Sequence, residues 1–145
     1  MTNLLDRLKA AEVGSRELDA EIAVLFGVDG AVSVVSPLAD SIFSEVPGWC
    51  LDACDRSVRA PEITTSLDAA LALAKRVLPG LCWSVGQNVH HKLWIAYGLH
   101  ILPDGEVETV GLDSAPTPAL ALCIAILTAS AAVVSSNEKE AEHGQ

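Results

Sequence analysis

Apolar positions near the start of the chain recur at the spacing of one helix face. Ser15 is a good N-cap residue, and Gly27 is a typical residue to follow the last turn of a helix. Between them, apolar side chains stand at positions i, i+4, i+7 and i+8: Leu18, Ile22, Leu25 and Phe26. The pattern predicts one helix between Ser15 and Gly27.

Residues 28–62 follow without a period that persists. The stretch contains a Val-rich run at 31–35, three prolines and two turn signals. No alternation continues beyond about six residues, the usual length of a strand. We therefore expect an irregular insert at 28–62 with one or two edge strands.

Helical spacing returns at residues 67–78. Thr65 and Asp68 match a capping box, in which a hydroxyl and a carboxylate bind free backbone N–H groups at the start of a helix. Pro79 and Gly80 end the apolar stripe. The segment predicts a second helix.

After Gly80 the period of the pattern changes to two, which predicts strands over 81–85, 93–101 and 106–112. Pro103, Asp104 and Gly105 form a hairpin turn between the last two, because proline presets φ and glycine accepts a positive φ. The three strands form an antiparallel meander.

Alternation gives the middle strand two different faces. One face is aliphatic apart from a tyrosine: Leu93, Ile95, Tyr97, Leu99 and Ile101. The other carries Trp94 among small residues and a histidine: Ala96, Gly98 and His100. We expect the aliphatic face, together with Trp83, to face the core. The indole of Trp94 is then either open for a flat group to stack on it, or covered by the insert or by a partner subunit.

The stretch 115–134 is free of charge and is the length of a membrane span. Its many alanines, its Thr128 and Ser130, and the absence of flanking cations favour a core helix instead. Thr117 stands at the N-cap position with Pro118 after it. Because the helix is apolar all round, we expect Leu120, Cys123, Ile124 and Leu127 to be buried in one protomer. The opposite face, with Ile126, would contact another subunit in a homo-oligomer.

These elements predict an α+β fold, with a three-stranded or slightly larger antiparallel sheet packed between helices. The order is helix, irregular insert, then α-β-β-β-α. The length of 145 residues fits a single sandwich domain over 1–137, followed by an acidic flexible tail at 138–145.

The charge of the chain narrows the class of partner. Nineteen Asp and Glu oppose nine Lys and Arg, a formal net charge of −10. Such a chain repels nucleic acid polymers but can still hold a small anion in a local basic pocket. The start of the chain lacks the apolar region of a secretory signal, and with the character of 115–134 this favours a cytoplasmic protein without membrane contact.

Four cysteines offer candidate chemistry, and we prefer reduced thiols for all of them. Cys50 and Cys54 could join His90 and His91 in a zinc site, but adjacent histidine side chains diverge. Cys82 lacks a charged neighbour in sequence, and the other remaining cysteine, in the apolar stripe of the last helix, would be desolvated. The chain carries none of the common catalytic or nucleotide-fold motifs, so we predict no enzyme, no metal and no cofactor.

Several segments together resemble small phage and prophage proteins of the ABA-sandwich type. The segments that carry the resemblance cover most of the chain in order: GSRELDAEIA at 14–23, Gly48-Trp49, Pro61, TTSLDAALAL at 64–73, LCWSVG at 81–86, and APTPALALCIAIL at 115–127. The resemblance implies a phage or prophage origin, residence in the cytoplasm of a bacterial host and an α/β sandwich. It implies no reaction.

The remaining clues indicate binding. Cations coincide with a flexible polar backbone and a nearby aromatic residue only in the insert and in the turn at 87–92. The predicted ligand-binding residues are Arg56, Arg59, His90, His91, Lys92 and Trp94. We expect a non-catalytic phage protein that sequesters a small nucleotide immune signal of the host. The alternatives are an adaptor that binds or inhibits a host protein and, in third place, a small hydrolase.

Overall fold

The computed structural model describes residues 4–34, 48–88, 90 and 92–143, with side chains described as far as residue 131. The elements follow in this order: α1 (Leu4–Ala10), α2 (Arg16–Phe26), a 3-10 turn (Val28–Gly30), β1 (Ala31–Val34), β2 (Trp49–Asp52), β3 (Ser57–Arg59), α3 (Leu67–Val77), β4 (Cys82–Asn88), β5 (Leu93–Ile101), β6 (Val107–Ala115) and α4 (Pro118–His143). The predicted α+β class is confirmed. The backbone of α4 extends into the segment 138–145, for which we expected a frayed end.

Hydroxyl caps start three of the helices. Ser15 Oγ accepts a hydrogen bond from the Leu18 N–H at 3.2 Å, and Thr117 Oγ1 accepts one from the Leu120 N–H at 3.3 Å, both as predicted. The cap of α3 is Ser66, whose Oγ accepts from the Ala69 N–H at 3.3 Å. The capping box predicted at Thr65 is therefore wrong by one residue.

The insert is more regular than expected. In its described part, β1, β2 and β3 form a three-stranded antiparallel sheet in the order β1-β2-β3. These strands have only three or four residues each, too few to establish a period of two in the sequence. Helix α2 packs against β1 and β2.

The predicted meander is confirmed as a second antiparallel sheet in the order β4-β5-β6. At the turn between β5 and β6, Gly105 has a φ of 91° and the Leu102 N–H donates to the Glu106 carbonyl at 2.8 Å. Helix α4 covers one face of this sheet.

The face of the second sheet that packs against α4 is the opposite of the one expected. Trp83 pairs with Gly98 and Gln87 with Trp94, so these residues share a face. On that face Trp83, Val85 and Trp94 pack against the buried core. The prediction that the aliphatic face of β5 meets the core is wrong, and the indole of Trp94 is not an open platform.

The reason is the close approach of α4 to the sheet. Gly111 of β6 has a φ of 68°, and a Cβ atom there would overlap the carbonyl oxygen of Ala125. Ala96 and Ala115 are buried under the same helix. A sheet face that lies this close to a helix backbone needs small side chains, whatever their hydrophobicity.

Helix α4 is the core of the molecule. Every residue from Leu120 to Ile126 is 0% exposed within a single chain. The second sheet packs on α4, and α1 and α3 contact it as well. The prediction that the face with Ile126 contacts another subunit is therefore wrong, because the chain's own elements bury residues 120–126 of this helix on all sides.

Within the described residues, no helix combines the length and the apolar character that a membrane crossing needs.

Candidate functional site

The two arginines predicted to bind a ligand lie on the first sheet. Arg56, in the turn between β2 and β3, is 77% exposed and its Nε donates to Asp52 Oδ2 at 3.0 Å. The backbone N–H groups of Arg56 and Cys54 also donate to Asp52, and these bonds, the Arg56 one foremost, lower the pKa of that carboxyl. Arg59 is exposed at the end of β3, opposite Trp49 in the register.

The other predicted residues lie on the second sheet. The backbone N–H of His90 donates to Asn88 Oδ1 at 3.1 Å in the turn between β4 and β5. Lys92 is exposed in the same turn, with a φ of 53°. Trp94 follows in β5, between Gln87 of β4 and Ala115 of β6. His91 lies outside the described residues.

The predicted ligand residues are divided into two groups, one on each sheet. Arg56 and Arg59 belong to the sheet that packs on α2, whereas Lys92 and Trp94 belong to the sheet that packs on α4. Of the hydrogen bonds and ion pairs seen in the described chain, none joins the two groups. A ligand that used both would have to bridge the two sheets.

Two of the four thiols are buried and bonded to backbone carbonyls. Cys50 Sγ donates to Ala20 O and Cys123 Sγ to Ile63 O, each at 3.5 Å. Burial, with a smaller contribution from the negative charge of Asp19, raises the pKa of Cys123 to about 12. A thiol in this state stays protonated at neutral pH and is a poor nucleophile.

Cys54 and Cys82 are exposed and free of disulfide bonds. Cys54 lies in the turn after β2 and Cys82 at the start of β4. In the described part of the chain, no three His, Cys, Asp or Glu side chains lie close enough together to hold a metal ion.

A buried polar cluster, which sequence reasoning missed, joins α2 to the segment before α3. Asp19 is fully buried and accepts hydrogen bonds from Thr64 and from Arg16 Nη1, the latter at 2.7 Å. Arg16 Nη2 also donates to the Ala60 carbonyl at 2.5 Å. Asp19 and Thr64 have no exposed surface for a ligand, so this cluster holds the fold together. The signal in the sequence that could have revealed this cluster is Asp19, a charged residue on the buried face of a helix.

A cleft lies between the end of α3 and the second sheet. Its volume is about 430 Å³, and its walls are the end of α3, the segment 78–81 and the side chains of His100 and Val110. The lining is apolar apart from His100, whose Nδ1 lies 4.0 Å from Glu108 Oε2. Size and lining fall within the range of small-molecule pockets.

The other side of the second sheet, which we call the outer sheet face, carries no charged side chain along its three strands. From the register, its larger apolar residues are Leu93, Ile95, Tyr97, Leu99, Ile101, Val107 and Leu112. Ile101 and Leu112 are each 61% exposed and Val107 is 57% exposed, whereas the others are half-buried. Among the elements that the structure describes, α4 makes the main contact with this sheet, and it lies on the opposite side.

The fold and these surfaces define an α+β protein with a central buried helix, an apolar cleft at one end of a sheet and an uncharged outer sheet face. No family model, no curated protein and no solved structure matches the chain.

Proposed function

We propose that this protein is a non-catalytic binding protein that holds a small molecule with a flat apolar part in the cleft beside His100. The observation that supports this role is the cleft itself, in which one polar side chain is set among apolar walls. In a pocket of this kind, apolar contacts supply most of the affinity, and the single polar group selects the orientation of the ligand.

A nucleotide fits this chemistry. A base stacks against the apolar wall of Leu81 and Val110 and hydrogen-bonds to His100. Its phosphate needs a local cation because the chain carries a net charge of −10. Lys75 and Arg76, in the last turn of α3, stand just before the segment that forms the cleft wall. With the phage or prophage origin that the sequence resemblance implies, the role is sequestration of a nucleotide immune signal in the bacterial cytoplasm.

The test starts from protein purified out of bacteria that express defence nucleotide synthases. Native mass spectrometry should detect a retained small mass, and calorimetry with that nucleotide should give its affinity. His100→Ala removes the polar contact and should weaken binding about tenfold. Glu108→Ala is the matched control, since Glu108 neighbours His100 without lining the cleft. Unchanged binding by the cleft-filling variant Val110→Phe would contradict the proposal.

The second candidate is a protein-binding adaptor or inhibitor of a host enzyme. The uncharged outer sheet face favours it, because depletion of charge is the compositional mark of interface centres. Leu112→Lys on that face should abolish binding to a host protein while leaving nucleotide binding in the cleft unchanged.

A further inference from the structure

The outer sheet face fits a partner surface that carries no charged side chain. A partner that placed Lys, Arg, Asp or Glu against it would lose the hydration of those groups without gaining a counter-charge. We propose that the occupant is a second copy of this chain, so that two outer sheet faces stack into a β-sandwich across a twofold axis. This dimer does not depend on the cleft, which lies on the other side of the same sheet.

The dimensions of the face suit a modest dimer. Nine residues at about 3.3 Å and three strands at about 4.8 Å give a face of roughly 30 by 14 Å. Two such faces bury about 800 Å² if they are treated as flat. Protruding side chains and the flanking turns add further contact area, which brings the total near the ~1,200 Å² of the smaller specific interfaces. Tyr97, the middle residue of β5, lies at the centre, where tyrosine contributes most to binding.

Charge at the two ends of β5 selects the orientation. The turn before β5 carries His90 and Lys92, and the hairpin after it carries Asp104 and Glu106. If the two copies of β5 run antiparallel, each basic turn lies over the acidic hairpin of the second copy. A parallel arrangement would stack like charges on each other. The geometry therefore selects the antiparallel dimer.

The oligomeric state and thiol reactivity test this dimer together. Sedimentation between 1 and 200 µM, concentrations chosen around the micromolar affinity typical of such small interfaces, should show a reversible dimer. Leu112→Lys should raise the dimer Kd at least about tenfold. Leu25→Lys is the matched control, because Leu25 is 57% exposed on α2, whereas Leu112 is 61% exposed. This control should leave the dimer Kd unchanged.

Cys82 and Cys54 report on the interface in the same sample. Both are exposed in one chain, but only Cys82 lies on the outer sheet face, opposite Leu99. At a concentration ten times the Kd about one protomer in five is free, so maleimide labelling of Cys82 should slow about fivefold. Labelling of Cys54 should stay at the same rate, and Leu112→Lys should restore fast labelling of Cys82.

A charge exchange tests the orientation. Lys92→Glu and Glu106→Lys should each weaken the dimer, and the double variant should recover its affinity. A chain that stays monomeric at 200 µM with fast labelling of Cys82 would overturn the proposal. So would a dimer that Leu112→Lys leaves intact. Protection of Cys82 only after addition of a host protein would also overturn it and would assign the face to the adaptor function instead.

Discussion

Asp19 and Thr64, both fully buried, are joined by two hydrogen bonds to the same carboxylate oxygen. The Thr64 N–H donates to Asp19 Oδ1 at 2.7 Å, and its hydroxyl lies 2.6 Å from that atom. A Cβ atom on Gly14 would overlap the Thr64 carbonyl oxygen, and Gly48 lies against the Arg16 guanidinium. Residues from three of the segments that carry the sequence resemblance therefore meet in one structural cluster.

Replacing Thr64 by Val keeps the shape of the side chain but removes the hydroxyl donor. The buried carboxylate of Asp19 then loses one of its hydrogen bonds, and we expect the free energy of unfolding to fall by about 1–3 kcal/mol. Urea denaturation measures the change. Thr65→Val is the control, because Thr65 is exposed, and it should have little effect. Equal stabilities of the two variants would contradict the structural role of the cluster.

Gly111 cannot carry a side chain without moving α4 away from the sheet. We expect Gly111→Ala to destabilise the protein by more than about 2 kcal/mol, because its Cβ meets backbone and its φ is positive. Gly86→Ala on β4 is the matched control, since a Cβ there has open space around it. Thermal unfolding of the two variants should differ clearly. A stable Gly111→Ala protein would show that α4 does not approach β6 as described.

Because the chain's own elements bury Ile126, truncating its side chain should lower the stability of the protein and should not dissociate an oligomer. Ile126→Ala should lower the free energy of unfolding by about 2–4 kcal/mol, through lost burial and the cavity left behind. Leu25→Ala, at a position that is 57% exposed, should cost far less. Chemical denaturation and sedimentation of the same samples separate the two effects. A folded monomer of unchanged stability would restore the original subunit-contact interpretation.

The raised pKa of Cys123 predicts a stability that declines in alkali. Its ordinary value is 9.0 and its folded value is about 12, so the fold favours the neutral thiol. The contribution of this thiol is complete below pH 9 and is lost as the pH rises toward 12. The stability difference between the wild type and Cys123→Ala should therefore shrink over that range. Cys54→Ala should follow the wild type, and a pH-independent difference would argue against burial of the thiol.

The sequence-based ligand set and the cleft make different predictions for a bound nucleotide. If the predicted set binds it, Arg59→Ala should weaken binding about tenfold or more through loss of a charge-assisted hydrogen bond. If the cleft binds it, Lys75→Ala should weaken binding and Arg59→Ala should not. Calorimetry on both variants decides, because each serves as the control for the other.

Local structure could be predicted from the sequence where a hydrophobic period continued over a whole element or where a residue typical of helix caps marked its end. Ser15, Gly27 and Thr117 mark helix ends as predicted, and the alternation around β5 is correct. Alternation separates two faces of a strand but does not say which face lies inward. The more hydrophobic face lies outward here, because close contact with α4 requires small residues such as Ala96 and Gly111.

Long-range contacts determine the features that the sequence pattern leaves open. The pattern of α4 shows that it is buried on every side, but not whether α1 and α3 or a second chain provide the cover. In the sequence, the arginines of the insert and the lysine at position 92 have similar surroundings, because each lies in a polar segment that is expected to be flexible. Their assignment to different sheets depends on packing between elements far apart in the chain, for which single residues carry no signal.

The burial of α4 also has a consequence for when the protein can fold during synthesis. Helix α1 and the second sheet both pack against α4, which is synthesised after them. Until residues 118–131 leave the ribosomal exit tunnel, Trp83 and Ala96 lack the helix that covers their face of the sheet. The apolar surfaces of these earlier elements therefore stay partly exposed until α4 has been synthesised. We expect the protein to complete its folding after translation of α4 and not during synthesis of the earlier elements.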